Sequence, residues 1–273
     1  MAAELNIPFL QRAYFTFDKA VPYKVGDVEL QIKPILLTES DIFLASIDIL
    51  QHDKNSSPNP EVISMSYLEY MVRIISVSDE LFVDKLSNIL FYCLGIIAWH
   101  FELNEHGKLV LCDDTHYVQI TAKKFDEIRR IILYQNILHY DDAYVNPEFK
   151  KMMDEVDAVK NAGVESPTIE RRMAIITAHC GISKQEQMNM TYRSHSLLFE
   201  EVYGEVEFET TRPILLYAGK GNEIDHWIFK KKKDKYDGYM TDADSYAQSM
   251  GGDRNAIKTA SGTEQGDKLS QQY

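Results

Sequence analysis

Residues 97–120 read IAWHFELNEHGKLVLCDDTHYVQI, and this stretch decides the fold class. Three short apolar-rich runs, 97–103, 108–112 and 116–120, are separated by polar turns, and the first turn ends at Gly107. Short runs bounded by glycine and aspartate turns are typical of consecutive antiparallel strands. The stretch therefore predicts a three-stranded β-meander.

The segments on either side of the meander predict one more β element and several helices. Upstream, residues 25–33 combine a Gly-Asp turn with alternating apolar and polar residues, which is a hairpin pattern. Downstream, Thr121 precedes Phe125, Ile128 and Ile132 at helical spacing. Capping residues and prolines at the first helical position predict further helix starts at Asn146-Pro147, Ser166-Pro167 and Ser183-Lys184-Gln185-Glu186.

These patterns predict an α+β protein that is mostly α-helical, with the small β-hairpin and meander in its N-terminal half and a helical C-terminal half. We expect a mixed α/β part over residues 1–120, a helical part over 121–229 and a flexible tail over 230–273. Phe208 and the apolar segment 214–217 are expected to form a strand or buried coil.

The C-terminal tail differs sharply in composition from the rest of the chain. After the four lysines at 230–233 come mainly Gly, Ser, Asp, Gln and Thr, so the tail cannot bury enough apolar surface to offset its ordering entropy, and it is expected to be disordered. The formal net charge is −13, and the tail carries eight Lys/Arg against seven Asp/Glu, so the body carries −14. A surface of that sign repels phosphate backbones and anionic lipid, so we expect no nucleic acid and no membrane as partners.

The cysteines and the N-terminus indicate in which compartment the protein works and whether it binds a metal. Cys93, Cys112 and Cys180 lack a pairing or metal-like spacing, which is typical of reduced core cysteines in an intracellular protein. The N-terminus lacks a signal-peptide pattern, and the longest apolar stretch, 89–99, is too short to span a bilayer. We therefore expect a soluble protein with no metal and no cofactor.

Three clusters of residues could indicate a functional site. The Gly181 corner before residues 184–190 resembles a helix-turn-helix, but that segment offers one lysine against Glu186, so a packed helical corner is favoured. Residues 139–142, His-Tyr-Asp-Asp, are expected to form a solvated linker rather than an acid/base or metal site. His179 and Cys180 are adjacent on a helix and point about 100° apart, so they do not form a nucleophile pair. We expect no catalytic residues and no enzyme.

Short motifs, mainly helix caps and helix faces, cover about half of the chain and resemble those of one family. The matching stretches are Phe125-Asp126-Glu127-Ile128-Arg129, Gln135-Asn136, Tyr140-Asp141-Asp142, Asn146-Pro147-Glu148, Ser166-Pro167-Thr168-Ile169-Glu170, Gly181-Ile182-Ser183 and, upstream, residues 63–68. With these, the chain resembles proteins from the tail-assembly region of phages that infect Gram-positive bacteria, and among them it is most similar to tail assembly chaperones.

The resemblance implies binding rather than catalysis. Tail assembly chaperones bind the tape-measure protein, and an extension of the chain recruits tail-tube subunits, so the expected location is the host cytoplasm and not the mature virion. A structural protein of the tail, neck or baseplate is the alternative, and a helix-turn-helix regulator is the third. The oligomeric state stays open. The expected partner-binding residues are Leu197, Leu198, Val202, Lys230, Lys231, Lys232 and Lys233.

Overall fold

The computed structural model describes residues 5–143, 145–163, 165–224 and 226–228. Within these ranges the chain is mostly α-helical, and two small antiparallel sheets lie in its N-terminal half. This confirms the predicted α+β class. The predicted flexible tail, including the four lysines at 230–233, lies outside the described residues.

Both predicted β elements are present. Strands β1 (Val21–Val25) and β2 (Val28–Ile32) pair as a hairpin around Gly26-Asp27, with Gly26 at a φ of 62°. Glycine adopts this left-handed conformation without steric cost, which suits a two-residue hairpin turn. The meander consists of β3 (Trp99–Leu103), β4 (Leu109–Asp113) and β5 (Val118–Thr121), in the order β3-β4-β5.

The helices before the meander are short, apart from the last. A π-helical turn, Met71–Ile75, joins two of them. In chain order they are α1 (Ile7–Ala13), α2 (Ser40–Ser46), α3 (Asp48–Gln51), α4 (Pro60–Ser64), α5 (Tyr67–Tyr70), α6 (Ser76–Ser78) and α7 (Phe82–Leu94). Short 3₁₀ turns cover Phe15–Phe17, Leu37–Glu39 and Lys54–Ser56.

The helices after the meander are α8 (Ala122–Asn136), α9 (Pro147–Lys160), α10 (Ile169–Cys180), α11 (Lys184–Met188) and α12 (Tyr192–Tyr217), and a 3₁₀ turn covers Gly221–Glu223. Two predictions need correction. The N-cap of α10 is Thr168, which accepts from Arg171 N–H, and not Ser166. Phe208 and residues 214–217 are neither strand nor buried coil, because α12 runs from Tyr192 through Pro213 to Tyr217.

Helix α8 lies at the centre of the core. Ile131 and Leu133 are fully buried, and the helix contacts α5 and both sheets. At its last turn, Asn136 accepts a 2.8 Å hydrogen bond from Ile35 N–H and donates to Ile132 O at 2.9 Å. The core therefore continues across residue 120, and the boundary expected there separates element types within one core.

The chain divides into two compact units. The first comprises residues 1–147 and 165–224 and holds both sheets and the core. Residues 148–164 belong to the second, and there α9 has no buried side chain. In the described part of the chain, no helix combines the length and the apolar character needed to cross a membrane.

Candidate functional site

Helix α12 is firmly attached to the body at its N-terminal end. Tyr192 N–H donates to Ile35 O at 2.8 Å, and the hydroxyls of Thr191 and Ser194 donate to the Asp18 carboxylate at 2.7 and 2.8 Å. A carboxylate at this end also interacts favourably with the positive end of the helix dipole. The start of α12 therefore has a fixed position relative to the sheets.

The C-terminal half of α12 carries apolar residues that the described structure leaves exposed. Tyr203 is 61% exposed, Val206 42%, Ile214 67% and Tyr217 95%. Together with the exposed Thr210, they follow one another at intervals of three, four, four and three residues. Intervals of three and four residues place side chains on one face of a helix. We call these five residues the α12 stripe.

Acidic residues lie beside the N-terminal part of the α12 stripe, whereas Arg212 lies beside its C-terminal part. Residues 200–209 include Glu200, Glu201, Glu205, Glu207 and Glu209, and no lysine or arginine. Two of these carboxylates contact histidines of the body: Glu200 lies 2.9 Å from His139 Nε2, and Glu205 lies 3.0 Å from His179 Nε2. The surface thus combines an exposed apolar seam with a negative border.

A buried glutamine holds the helical corner that supports α12. Gln187 is fully buried, and its Nε2 lies within 3.1 Å of three acceptors: Met173 O, Thr177 Oγ1 and Ile182 O. Its Oε1 lies 3.2 Å from His195 Nε2, on α12. Because Nε2 must donate, Oε1 accepts, and His195 is the donor. Gln187 therefore connects α10, the Gly181 turn, α11 and α12.

The corner is packed, as the sequence predicted. Gln187 is directed into it and is therefore not available for base contacts, whereas Lys184, Gln185 and Glu186 of the same helix are exposed. The predicted capping box is present: Ser183 Oγ accepts from Glu186 N–H, and the Glu186 carboxylate accepts from Ser183 N–H. The Ser183 hydroxyl and the Ser183 N–H both donate to the Glu186 carboxylate, and these two bonds lower the pKa of the Glu186 carboxyl below its usual value.

We expect Gln187→Leu to lower the free energy of unfolding by about 2 kcal/mol, because it leaves buried carbonyl groups and His195 without hydrogen-bond partners. Gln185→Leu is the matched control: Gln185 is exposed on the same short helix, and its replacement is expected to change stability by less than about 0.5 kcal/mol. Urea denaturation of both variants measures the difference. Equal stability of the two variants would show that Gln187 does not hold the corner.

The cluster at 139–142 does not form a common site. His139 contacts Glu200, whereas Asp142 contacts Arg130 Nε at 2.5 Å and the Tyr134 hydroxyl at 2.5 Å. The segment thus links α8 to α12, and its ionisable groups are engaged in separate contacts. This agrees with the linker interpretation, although the linker is more tightly held than expected.

The cysteine prediction is wrong in one respect. Cys93 and Cys112 are buried, but Cys180 is exposed, at the last position of α10. His179 contacts Glu205 rather than Cys180, consistent with the expected divergence of adjacent helical side chains. Burial raises the pKa of the Cys93 thiol well above its usual range, so this thiol stays protonated near neutral pH.

The predicted partner-binding residues occupy different environments. Leu197 is 43% exposed, Leu198 is partly buried, and Val202 is only 4% exposed. Val202 packs into the body, so its side chain is not available to a partner in this conformation. The lysines at 230–233 lie outside the described residues. That this helix binds a partner stays a prediction, and the α12 stripe, whose spacing was the available signal, was not identified from the sequence.

A cavity in the core is too small to serve as a ligand pocket. It has a volume of about 10 Å³ and is lined by apolar side chains of α3, α7, α8 and the meander, together with Arg129. A space of this size holds about one water molecule. The α12 stripe is therefore the stronger candidate for a functional site.

Comparison with known proteins found no match to the chain among protein-family models, curated proteins or solved structures.

Proposed function

We propose that this protein is a phage tail assembly chaperone that binds an apolar helical seam of the tape-measure protein through the α12 stripe. The observation that carries the proposal is the exposed row of Tyr203, Val206, Ile214 and Tyr217 on one face of α12. The resemblance of the sequence to tail-region proteins supplies the partner. The activity is binding, with no catalytic step.

The physical problem that such a chaperone solves is aggregation. A tape-measure protein is a long helical chain, and before the tail tube encloses it, its apolar seams face water. Exposed apolar surface of that extent promotes association with other chains. A helix with a matching seam, carried on a strongly charged soluble body, covers the seam and keeps the complex in solution.

The glutamates beside the α12 stripe favour binding of some partner helices over others, according to the charges that border their apolar rows. A helix whose apolar row is bordered by lysine or arginine gains favourable charge contacts with this surface, whereas an acidic helix is repelled. Because surface charge interactions are screened by salt, association is expected to slow as ionic strength rises. The chaperone therefore prefers basic segments of the tape-measure protein.

The complex forms in the host cytoplasm, and the chaperone leaves before the tail is complete. The tail from Lys230 onward is the part that recruits tail-tube subunits. Proteomics of purified particles distinguishes this role from the alternative: a structural protein of the tail, neck or baseplate remains in the virion at fixed copy number, whereas a chaperone is absent.

The binding test uses variants of the α12 stripe. We expect Ile214→Glu to weaken binding to the purified tape-measure protein at least 30-fold, because it places a charge in the apolar seam; this corresponds to about 2 kcal/mol. Val77→Glu is the control, since Val77 is 82% exposed on α6 and its replacement should leave affinity unchanged. Calorimetric titration measures both. Unchanged binding by Ile214→Glu would overturn the proposed contact surface.

A further inference from the structure

One face of the meander brings an imidazole, a carboxylate and a thiol together. His100 and Glu102 are two residues apart on β3, so they lie on the same face, and Cys112 on β4 is directly opposite His100 in the register. One ligand atom from each of the three residues lies within 4.8 Å of the other two. These are the side chains that bind zinc in proteins.

Neighbouring polar groups orient these side chains. Asp114 accepts from His100 Nδ1 at 2.9 Å, which leaves Nε2 directed toward Glu102 Oε2, 3.6 Å away. Gln119, on β5, donates to Glu102 Oε1 at 2.5 Å, which leaves the second oxygen for the cluster. In zinc sites, the histidine nitrogen that does not bind the metal typically donates to a carboxylate. A carboxylate ligand is typically held by a hydrogen bond as well.

We infer that His100 Nε2, Glu102 Oε2 and Cys112 Sγ form a binding site for a divalent transition-metal ion, with Zn²⁺ as the best match to this ligand set. With metal–ligand bonds of about 2.0–2.3 Å, tetrahedral ligands lie about 3.3–3.8 Å apart. The 3.6 Å between His100 Nε2 and Glu102 Oε2 already fits this range, and the Cys112 sulfur lies within 4.8 Å of both atoms. The side chains of His100 and Glu102 are 50% and 40% exposed, so the ion has a path from solvent. A water molecule fills the fourth position.

Binding exchanges a proton for the metal. Burial and the neighbouring Glu102 carboxylate raise the pKa of the Cys112 thiol to about 11, so the thiol carries its proton near neutral pH. Metal binding breaks the S–H bond, forms a metal–thiolate bond and releases the proton to solvent. Because a metal-bound imidazole must be unprotonated, acidic solution opposes binding.

The ion also fastens two strands together. Because the ligands come from β3 and β4, binding adds a cross-link to a pair otherwise held by backbone hydrogen bonds and side-chain packing. A ligand that binds the folded state stabilises it in proportion to the logarithm of its concentration above Kd. Excess Zn²⁺ is therefore expected to raise the melting temperature of the full chain.

The test is titration of the reduced, untagged full-length protein with Zn²⁺ and Co²⁺. We expect one ion per chain, release of a thiol proton, and a near-ultraviolet sulfur-to-cobalt charge-transfer band. Cys112→Ser should abolish the band and saturable Zn²⁺ binding, and Asp114→Asn should weaken Zn²⁺ affinity about 10–100-fold by freeing the imidazole.

Two matched controls retain the site. Cys180→Ser removes an exposed thiol on α10, and His106→Asn removes an exposed imidazole in the β3–β4 turn; both should bind Zn²⁺ as the unmodified chain does. Circular dichroism of the metal-free variants shows whether each is folded. Absence of saturable Zn²⁺ binding by the unmodified protein, or full retention of binding by folded Cys112→Ser, would overturn the inference.

Discussion

Replacing Phe43 by alanine is expected to lower the free energy of unfolding by about 3–5 kcal/mol. Phe43 is 1% exposed on α2, and this helix packs against α7. Truncation removes most of a large apolar side chain from the core and leaves a cavity that the surrounding helices fill only in part. Marginal stability makes a loss of this size visible as partial unfolding near physiological temperature.

Phe91→Ala is the control for Phe43→Ala. Phe91 is on α7, but it is 50% exposed, so its replacement should cost about 1 kcal/mol or less. Urea denaturation followed by circular dichroism should show a lower midpoint for Phe43→Ala with an unchanged slope. A loss below about 1 kcal/mol for Phe43→Ala would mean that α2 is not part of the main core.

The second large effect is expected at Arg129, which holds the C-terminal end of α3. Its Nε donates to Leu50 O at 2.8 Å, and its guanidinium carbon lies 3.7 Å from the centre of the Tyr67 ring. The Tyr67 hydroxyl in turn donates to Ile49 O at 3.0 Å and to His52 O at 3.2 Å. The carbonyl groups at the end of a helix have no partners within it, and here Arg129 and Tyr67 supply them.

We therefore expect Arg129→Ala to lower the free energy of unfolding by about 3 kcal/mol, from the unsatisfied Leu50 carbonyl and the lost cation–π contact. Arg130→Ala is the control on the next position of α8: its contact with Asp142 is partly exposed, and its loss should cost about 1 kcal/mol. Thermal unfolding of both variants measures the difference. Similar melting temperatures would show that Arg129 does not hold the end of α3.

Local signals in the sequence predicted much of the fold. The Gly26-Asp27 turn, the three runs of the meander and the Ser183 capping box are each decided by residues within a few positions of one another, and each is present. Such features can be read without knowing the tertiary structure, because the hydrogen bonds that stabilise them are local.

The errors have tertiary causes. Phe208 and residues 214–217 were expected to form a strand or buried coil, yet α12 includes all of them and continues through Pro213. Val202 has the sequence character of a surface anchor, but the packing of α12 against α10 buries it. The ligand set of His100, Glu102 and Cys112 has no signature spacing, because strand pairing assembles it.

The exposed face of α12 could not be predicted from the sequence alone. It identified the helix of Leu197 and Leu198, but exposure decides which face is available, and exposure depends on what packs against that helix. The interval pattern from Tyr203 to Tyr217 becomes informative only when the whole stretch is known to be one continuous helix. The acidic border, in contrast, is visible directly in residues 200–209.

The central claim is that the α12 stripe contacts the tape-measure protein, and site-specific photocrosslinking tests it most directly. A photoreactive amino acid is placed at Ile214 or at Val77, and each variant is co-expressed with the tape-measure protein. We expect a crosslinked product containing the tape-measure protein from position 214 and none from position 77. Equal products from both positions, or none from position 214 while the two proteins still co-purify, would contradict the account.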